Sequence, residues 1–292
     1  MTIWNLGSVN ADMVYRLPHL PASGETLAAS ALQRGLGGKG ANMSVAVARA
    51  GSHVEHLGAV GADGTWMRDR LAEYGVGVGG LVEVGETSGH AIIALDEIGE
   101  NQIILFPGAN ARIDEAGLED SLGKAKAGDI AVCQNETSGQ VAFARAARAK
   151  ELRIAYAAAP FTVQAVQAIL PEVDLLVLNA VESAQLQEAM NRPLEALPVA
   201  DIVVTLGADG CRWIGTVSGK SQDFAAPRVE VVDTTGAGDT FTGYLLAALD
   251  QGLDMAEAIT LAQQAGALMV TRLGTADVIP TRAEVAAHFA PS

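Results

Sequence analysis

IAVCQNETSGQVAFARAARAKELRIAYAAAPFTVQAVQAILPEVDLLVL, residues 130–178, states one pattern more than once. Short apolar runs at 130–133, 153–156 and 175–178 are separated by Ala-rich segments of helical period at 139–150 and 163–170. That alternation is the pattern of a parallel sheet covered by helices.

The alternation continues on both sides. Strands are expected at 3–6, 54–60 and 202–205, and helices at 41–50, 66–74, 115–127, 181–190, 239–249 and 255–271. A chain of 292 residues can hold one large α/β domain or two smaller ones. No repeat, low-complexity tract or Pro- and Ser-rich linker divides it, so residues 1–292 are read as a single α/β domain.

Three stretches interrupt the pattern: 13–17, 26–36, and the pair 90–95 and 102–106 joined by DEIGEN. The pair reads as a β-hairpin turning at Gly99. Strands without covering helices suggest a small accessory sheet, with segments 11–17, 25–36 and 88–107 contributing to a lid over one end of the domain. Its exposed face also suits a dimer contact.

Bulk composition narrows the function. With 34 acidic against 19 basic side chains, the formal charge is -15, which argues against a nucleic-acid or anionic-lipid footprint and favours a small-molecule partner. Cys133 and Cys211 fit neither a CxxC motif nor a disulfide framework, so both are expected as core residues in a reducing cytoplasm. The opening MTIWNLGSVNADMV reads as a first strand, not a signal peptide. The uncharged run 155–171 carries Pro160, Gln164 and Gln167 and falls short of the roughly 20 apolar residues of a membrane span.

DTTGAGDTF, residues 233–241, places Gly-Ala-Gly before an aspartate and an apolar helix. Phe241, Leu245, Ala248 and Leu249 recur at helical spacing, so a buried amphipathic helix starts at about Gly238. Its first amides are free to meet an anion, and small residues allow close approach. Asp239 is then either a structural cap or a general base beside an anion hole, the arrangement that deprotonates an alcohol attacking a phosphoryl group.

GLGGKGAN, residues 35–42, matches GxGxxG at Gly35, Gly37 and Gly40, but no buried apolar strand precedes it and Glu55 falls inside its own strand. A P-loop also fails, since Gly40 and not Ser or Thr follows Lys39. What remains is a glycine-lined wall with the Asn42 amide offered to vicinal hydroxyls, or a tight turn capped by Asn42. Asn10 and Asp12 follow the first strand, where α/β proteins place ligands. Asn179 and Glu182 follow the 175–178 strand, either as an outer-shell site for hydrated Mg²⁺ or as a helix cap. The histidines at 19, 53, 56, 90 and 288 lack metal-ligand spacing and read as structural or surface residues.

Taken together, DTTGAGDTFTGYL (233–245) and GGKGANMSVAVARAG (37–51) resemble the C-terminal and N-terminal signatures of the PfkB carbohydrate kinases. GSVNADMV (7–14), PASGETL (21–27) and PGANARI (107–113) are similar to the ribokinase branch of that family, and the resemblance covers nearly the whole chain. It implies a three-layer α/β/α domain with a mostly parallel central sheet and a small β-sheet lid. It also implies transfer of the γ-phosphoryl group of ATP to the primary hydroxyl of a pentose, giving ribose 5-phosphate if the sugar is ribose.

By the same resemblance, Asp239 is the catalytic base, and the amides of Gly236, Ala237 and Gly238 form the anion hole. The sugar positions are Asn10, Asp12, Gly38, Lys39, Asn42 and Glu136, together with Asp239. The ATP and Mg²⁺ positions are Asn179, Glu182, Thr205, Gly207 and Gly238, with Gln263 near the adenine. A monovalent cation, usually potassium, is implied at Asp233 and Thr235 with Met269, Arg272, Gly274 and Val278. A homodimer through the lid is implied as well. The chain departs from the family at Val278, where a small hydroxyl residue is frequent, and at 156–160, where YAAAP replaces Asn-Pro-Ala-Pro. Three other functions remain to be weighed against ribose phosphorylation: a related kinase for deoxyribose, another sugar or a nucleoside; a nicotinamide-dependent oxidoreductase; and a sugar-binding protein without catalysis.

Overall fold

The protein is described by a computed structural model over residues 1–290. Strands β1 (Thr2–Leu6), β2 (Asn10–Arg16) and β3 (Ala31–Gly37) precede helix α1 (Lys39–Arg49). Next come β4 (His53–Val60), α2 (Thr65–Glu73), β5 (Gly77–Glu83) and the hairpin β6 (Gly89–Leu95) and β7 (Asn101–Phe106). Then follow α3 (Leu118–Ser121), β8 (Ile130–Cys133), α4 (Gln140–Ala149), β9 (Arg153–Ala157), α5 (Val163–Ile169), β10 (Leu175–Asn179) and α6 (Ala180–Met190). The chain ends with β11 (Asp201–Thr205), β12 (Cys211–Gly215), β13 (Lys220–Phe224), α7 (Ala237–Asp250), α8 (Met255–Met269) and α9 (Arg282–His288).

The main sheet has nine strands in the order β13-β12-β11-β10-β9-β8-β1-β4-β5. From β11 to β5 every neighbour is parallel, and β12 and β13 add an antiparallel edge. Two-residue periodicity sorts the strands between two cores. Ile130, Val132, Leu175 and Val177 pack with α1, α7 and α8, whereas Ala131, Cys133, Leu176 and Leu178 pack with α4, α5 and α6. Burial on both faces explains why these strands read as unbroken apolar runs.

The winding reverses between β1 and β8: the chain proceeds from β1 to β4 on one side and from β8 to β9 on the other. A crevice opens at the carboxyl ends of strands at such a reversal. Residues following β1 and β8 therefore meet there, which is where Asn10, Asp12 and Glu136 lie.

The accessory sheet exists, with four strands in the order β3-β2-β6-β7. Its hairpin turn is held by Asp96 Oδ1, which accepts the Ile98 and Glu100 amides at 3.0 and 2.9 Å, with Gly99 at φ 89°. Residues 25–30 are not part of it. Gly24 at φ 82° and a Glu25-to-Ala22 turn keep this stretch irregular until Ala31. Asn10 and Asp12 follow β1, as expected, and lie within β2.

The helix expected at 115–127 is reduced to a 3₁₀ turn and the four-residue α3, because Gly123 closes a turn onto the Asp120 carbonyl at 2.8 Å. Strand β5 escaped the sequence reading because its GVGGLVE hides a strand behind glycines. The glycines leave room for side chains of the neighbouring strand: a Cβ on Gly77 or Gly80 would sit 2.4 Å from Glu55 Oε2 or 2.2 Å from Leu57 Cδ2.

Candidate active site

The glycine-rich entry to α1 lets two backbones touch. A Cβ on Gly40 would lie 2.3 Å from the Gly7 Cα, and one on Gly38, at φ 95°, would lie 2.9 Å from the Ser8 carbonyl oxygen. The Ala41 amide donates to that carbonyl at 2.9 Å. Backbone thus packs on backbone at these glycines, and Asn42 turns its side-chain amide to Asp239 instead of capping a turn.

Glu136 is fixed on this wall. Its Oε2 accepts the Ser8 hydroxyl at 2.5 Å and the Lys39 amide at 3.0 Å. Asp12 lies across Gly37, where a Cβ would come 2.1 Å from its Oδ2. Burial pushes the Asp12 carboxyl up to about 7, Glu136 adds to the shift, and the Thr275 hydroxyl opposes it. Asn10 Oδ1 accepts the Asn110 side-chain amide at 2.7 Å, and Asn110 in turn accepts the Val9 N–H at 2.9 Å.

Asp239 stands opposite, in the first turn of α7 and 7% exposed. Its Oδ2 accepts the Asn42 side-chain amide at 2.9 Å. The contact depends on Gly243, where a Cβ would lie 2.5 Å from Ala46 Cβ and 2.7 Å from the Met43 carbonyl oxygen. Burial raises the Asp239 carboxyl above the usual range, Lys39 and Asn42 pull it down, and Glu136 pushes it up again. The Lys39 ammonium is held protonated by Asp239, Glu136 and Glu182, against the effect of its own burial. Asn42 Oδ1 is buried without a partner among the described residues, an acceptor that a hydroxyl would satisfy.

Helix α7 begins without a side-chain cap, behind Gly236 in the left-handed region at φ 76°. The Ala237 amide turns back to the Thr234 carbonyl at 3.2 Å, so it is not a free member of the expected anion hole. Among the described residues the Gly236 and Gly238 amides have no partner, and nothing stands within 4 Å of a Cβ on Gly238. Two amides, not three successive ones, are thus left without a partner at this helix end, because the left-handed glycine closes a turn first.

A cavity of about 550 Å³ runs from Thr205, Gly207 and Gln263 to Ala237, Gly238 and Phe241. Its size is in the usual range for small-molecule sites, about 300–1,000 Å³. Gln263 is oriented by donating to the Phe224 carbonyl at 3.0 Å. Asn179 and Glu182 do not line this cavity. They form a reciprocal capping box on α6, with Asn179 Oδ1 accepting the Glu182 amide at 2.9 Å and Glu182 Oε2 accepting the Asn179 amide at 2.8 Å. The helix-cap alternative is realised there, although Glu182 remains near enough to act on Lys39. No group of three or more His, Cys, Asp or Glu side chains is placed to hold a metal among the described residues.

The cation positions are brought together in part. Asp233 accepts the Thr235 amide at 2.9 Å and the Gly274 amide at 3.2 Å, tying the loop before α7 to the segment after α8. The Met269 carbonyl already accepts the Arg272 amide at 3.0 Å. The Val278 carbonyl accepts the Arg272 guanidinium at 3.1 Å, so a permanent cation occupies one expected ligand. Ser8, Asn110 and Thr275 were missed by the sequence reading. Ser8 had a signal, its place at the end of β1, but Thr275 reaches Leu36 and Asp12 only through tertiary folding.

Residues 3–282 match the pfkB family of carbohydrate kinases. The chain is 33% identical to the ribokinase of Haemophilus influenzae over 297 residues, covering 97% of this chain and 96% of that one. It is 29% identical to the deoxyribokinase of Salmonella typhi over 300 residues, covering 96% of each. Arabidopsis thaliana ribokinase, solved with ribose and ATP, superposes with a TM-score of 0.87 at 27% identity over 99% of both chains.

Proposed function

Because the chain belongs to the pfkB family of carbohydrate kinases and is thus an ATP-dependent sugar kinase, we propose that its acceptor is the 5-hydroxyl of D-ribose. One observation carries this reading: the N-terminus of α7 borders both the carboxylate-rich crevice and the large cavity, with Asp239 between them. In the proposed step Asp239 takes the 5-hydroxyl proton as that oxygen bonds the γ-phosphorus. The bond from the γ-phosphorus to the β-bridging oxygen breaks, releasing ADP.

The Gly236 and Gly238 amides meet charge on the transferring group, helped by the helix dipole. Lys39, protonated between the carboxylates, balances the charge that builds up. Asn10, Asp12, Glu136 and Asn42 hold the sugar hydroxyls against the Gly38 wall, and Asn42 also orients the base. The adenine lies toward Gln263, with Thr205 and Gly207 along the nucleotide. Mg²⁺ bound to the phosphates would neutralise their oxygens, with Glu182 within reach through water. Asp233 and the Gly274 segment offer a monovalent cation a carboxylate and carbonyls, but the Arg272 bond to Val278 makes that fit partial.

The outer strand of the small sheet suits pairing with a second copy of the chain. Ile103, Ile104, Leu105 and Phe106 are each 42% exposed or more along β7, an apolar edge suited to covering by a second copy. No helix is long and apolar enough to cross a membrane among the described residues.

Specificity for ribose over 2-deoxyribose is assigned to Asp12, which would accept hydrogen bonds from the 2- and 3-hydroxyls. An ADP-release assay across pentoses, hexoses and nucleosides, with and without potassium, tests the proposal. D-ribose should give the highest kcat/KM. A preference for 2-deoxyribose or for a nucleoside would replace it.

A further inference from the structure

Behind the sugar wall lies a set of buried polar side chains that the proposed reaction does not touch. His56 on β4, Ser44 on α1 and Asn5 on β1 are fully buried, and Gln134 after β8 is nearly so. We propose that His56, with Ser44, Asn5 and Gln134, is a positioning residue for the sugar half of the site. Together they form a one-way hydrogen-bond chain that fixes Gly7 and Gly40 and, through Ser8, the Glu136 carboxylate.

The direction of the chain follows from its ends. The Gly7 carbonyl can only accept, so His56 Nε2, 3.1 Å away, carries the proton. Burial pushes the His56 imidazole down to about 4, so it is neutral and its Nδ1 is bare. Ser44 must therefore donate its hydroxyl proton to Nδ1, at 2.9 Å. The Ser44 oxygen is left to accept Asn5 Nδ2 at 2.8 Å. The same Asn5 amide donates to the Gly40 carbonyl at 2.8 Å, which settles its orientation, and Asn5 Oδ1 accepts Gln134 Nε2 at 2.9 Å.

The two carbonyls at which the chain ends belong to the residues that make the close glycine contact. There is little room to absorb a shift: a Cβ on Gly7 would be 2.4 Å from the Gly40 Cα, and one on Gly58 would be 2.8 Å from the Gly7 oxygen. Beyond Gly7, the Ser8 hydroxyl donates to Glu136 Oε2 at 2.5 Å and accepts the Gly40 amide at 3.3 Å. The Lys39 amide completes the hold on Glu136 at 3.0 Å. A buried polar chain costs more to desolvate than an apolar filling, and fully satisfied it returns rigidity. Here the rigidity is delivered to a carboxylate assigned to the sugar.

The inference rests on the sugar-kinase reading and is tested on the full-length enzyme by steady-state kinetics and thermal melting of His56→Phe, His56→Gln and Ser44→Ala. Losing one buried bond should raise the sugar KM about tenfold in His56→Phe, with the ATP KM nearly unchanged. His56→Gln, whose amide nitrogen can replace Nε2, should recover most of the sugar affinity. Ser44→Ala should raise the sugar KM in the same direction by a smaller factor, and it decides the matter if His56→Phe does not fold. Lower melting temperatures with an unchanged sugar KM would reduce the chain to a structural element and overturn the inference. Wild-type enzyme without sugar-dependent ADP release would instead defeat the underlying reading.

Discussion

Two helix N-termini in this fold looked alike as ligand sites, and the structure separates them. Helix α6 begins with a complete capping box in which Asn179 and Glu182 satisfy each other's backbone amides. Helix α7 begins behind a left-handed glycine with no side-chain cap, and the amides of Gly236 and Gly238 remain unpaired among the described residues. A helix end that satisfies itself has little to offer an anion. One left open beside a cavity has both the amides and the dipole to spend on a ligand.

Replacing Asp239 by Asn should break the working end most severely. kcat is expected to fall by roughly 10² to 10⁴ with ribose binding largely kept, measured by ADP release and by calorimetry. Gly236→Ala should cost less. A side chain in the left-handed region is strained by about 1–2 kcal/mol, and a displaced amide should lower kcat about tenfold to a hundredfold. Wild-type kcat in Gly236→Ala would mean that the open end is incidental.

The pH dependence sharpens the comparison from the sugar side. Asp12, pushed up to about 7 by burial and Glu136, is protonated below that pH and ionised above it. kcat/KM for ribose should therefore fall as pH drops through about 7. The Asp12→Asn profile should keep only the acid limb belonging to Asp239, whose carboxyl is also raised. An unshifted limb in Asp12→Asn would remove Asp12 from the titration. The smallest catalytic effect is expected at α6: Asn179→Ala should cost about 1 kcal/mol of stability through lost capping, read as a lower melting temperature with kcat almost unchanged. A large kcat loss there would erase the distinction between the two helix ends.

Much of this was legible in the sequence because its physics is local. Strands buried on both faces read as apolar runs, and α7 announced itself through Phe241, Leu245, Ala248 and Leu249. The place of Asp239 in the first turn of α7 and the glycine-rich entry to α1 were visible because both depend on short spacings. What escaped is non-local. The glycines of β5 answer the side chains of Glu55 and Leu57 on a neighbouring strand, and nothing in GVGGLVE reveals that. The Asn42 bond to Asp239 spans 197 residues and depends on Gly243 letting two helices touch. The Ala237 amide is lost to Thr234 by a turn that the motif does not display. His56 read as a structural or surface residue; that its ring bridges Ser44 and the Gly7 carbonyl becomes apparent only once β4 and α1 are packed.

The central claim is that α7 delivers a phosphoryl group from the cavity to a primary hydroxyl held at Asp239. It is tested most directly by phosphorus NMR of the product from ATP and D-ribose. The account predicts a phosphate ester whose phosphorus couples to the 5-methylene protons, formed one for one with ADP. An ester at the anomeric carbon, or free phosphate without any ester, would contradict it.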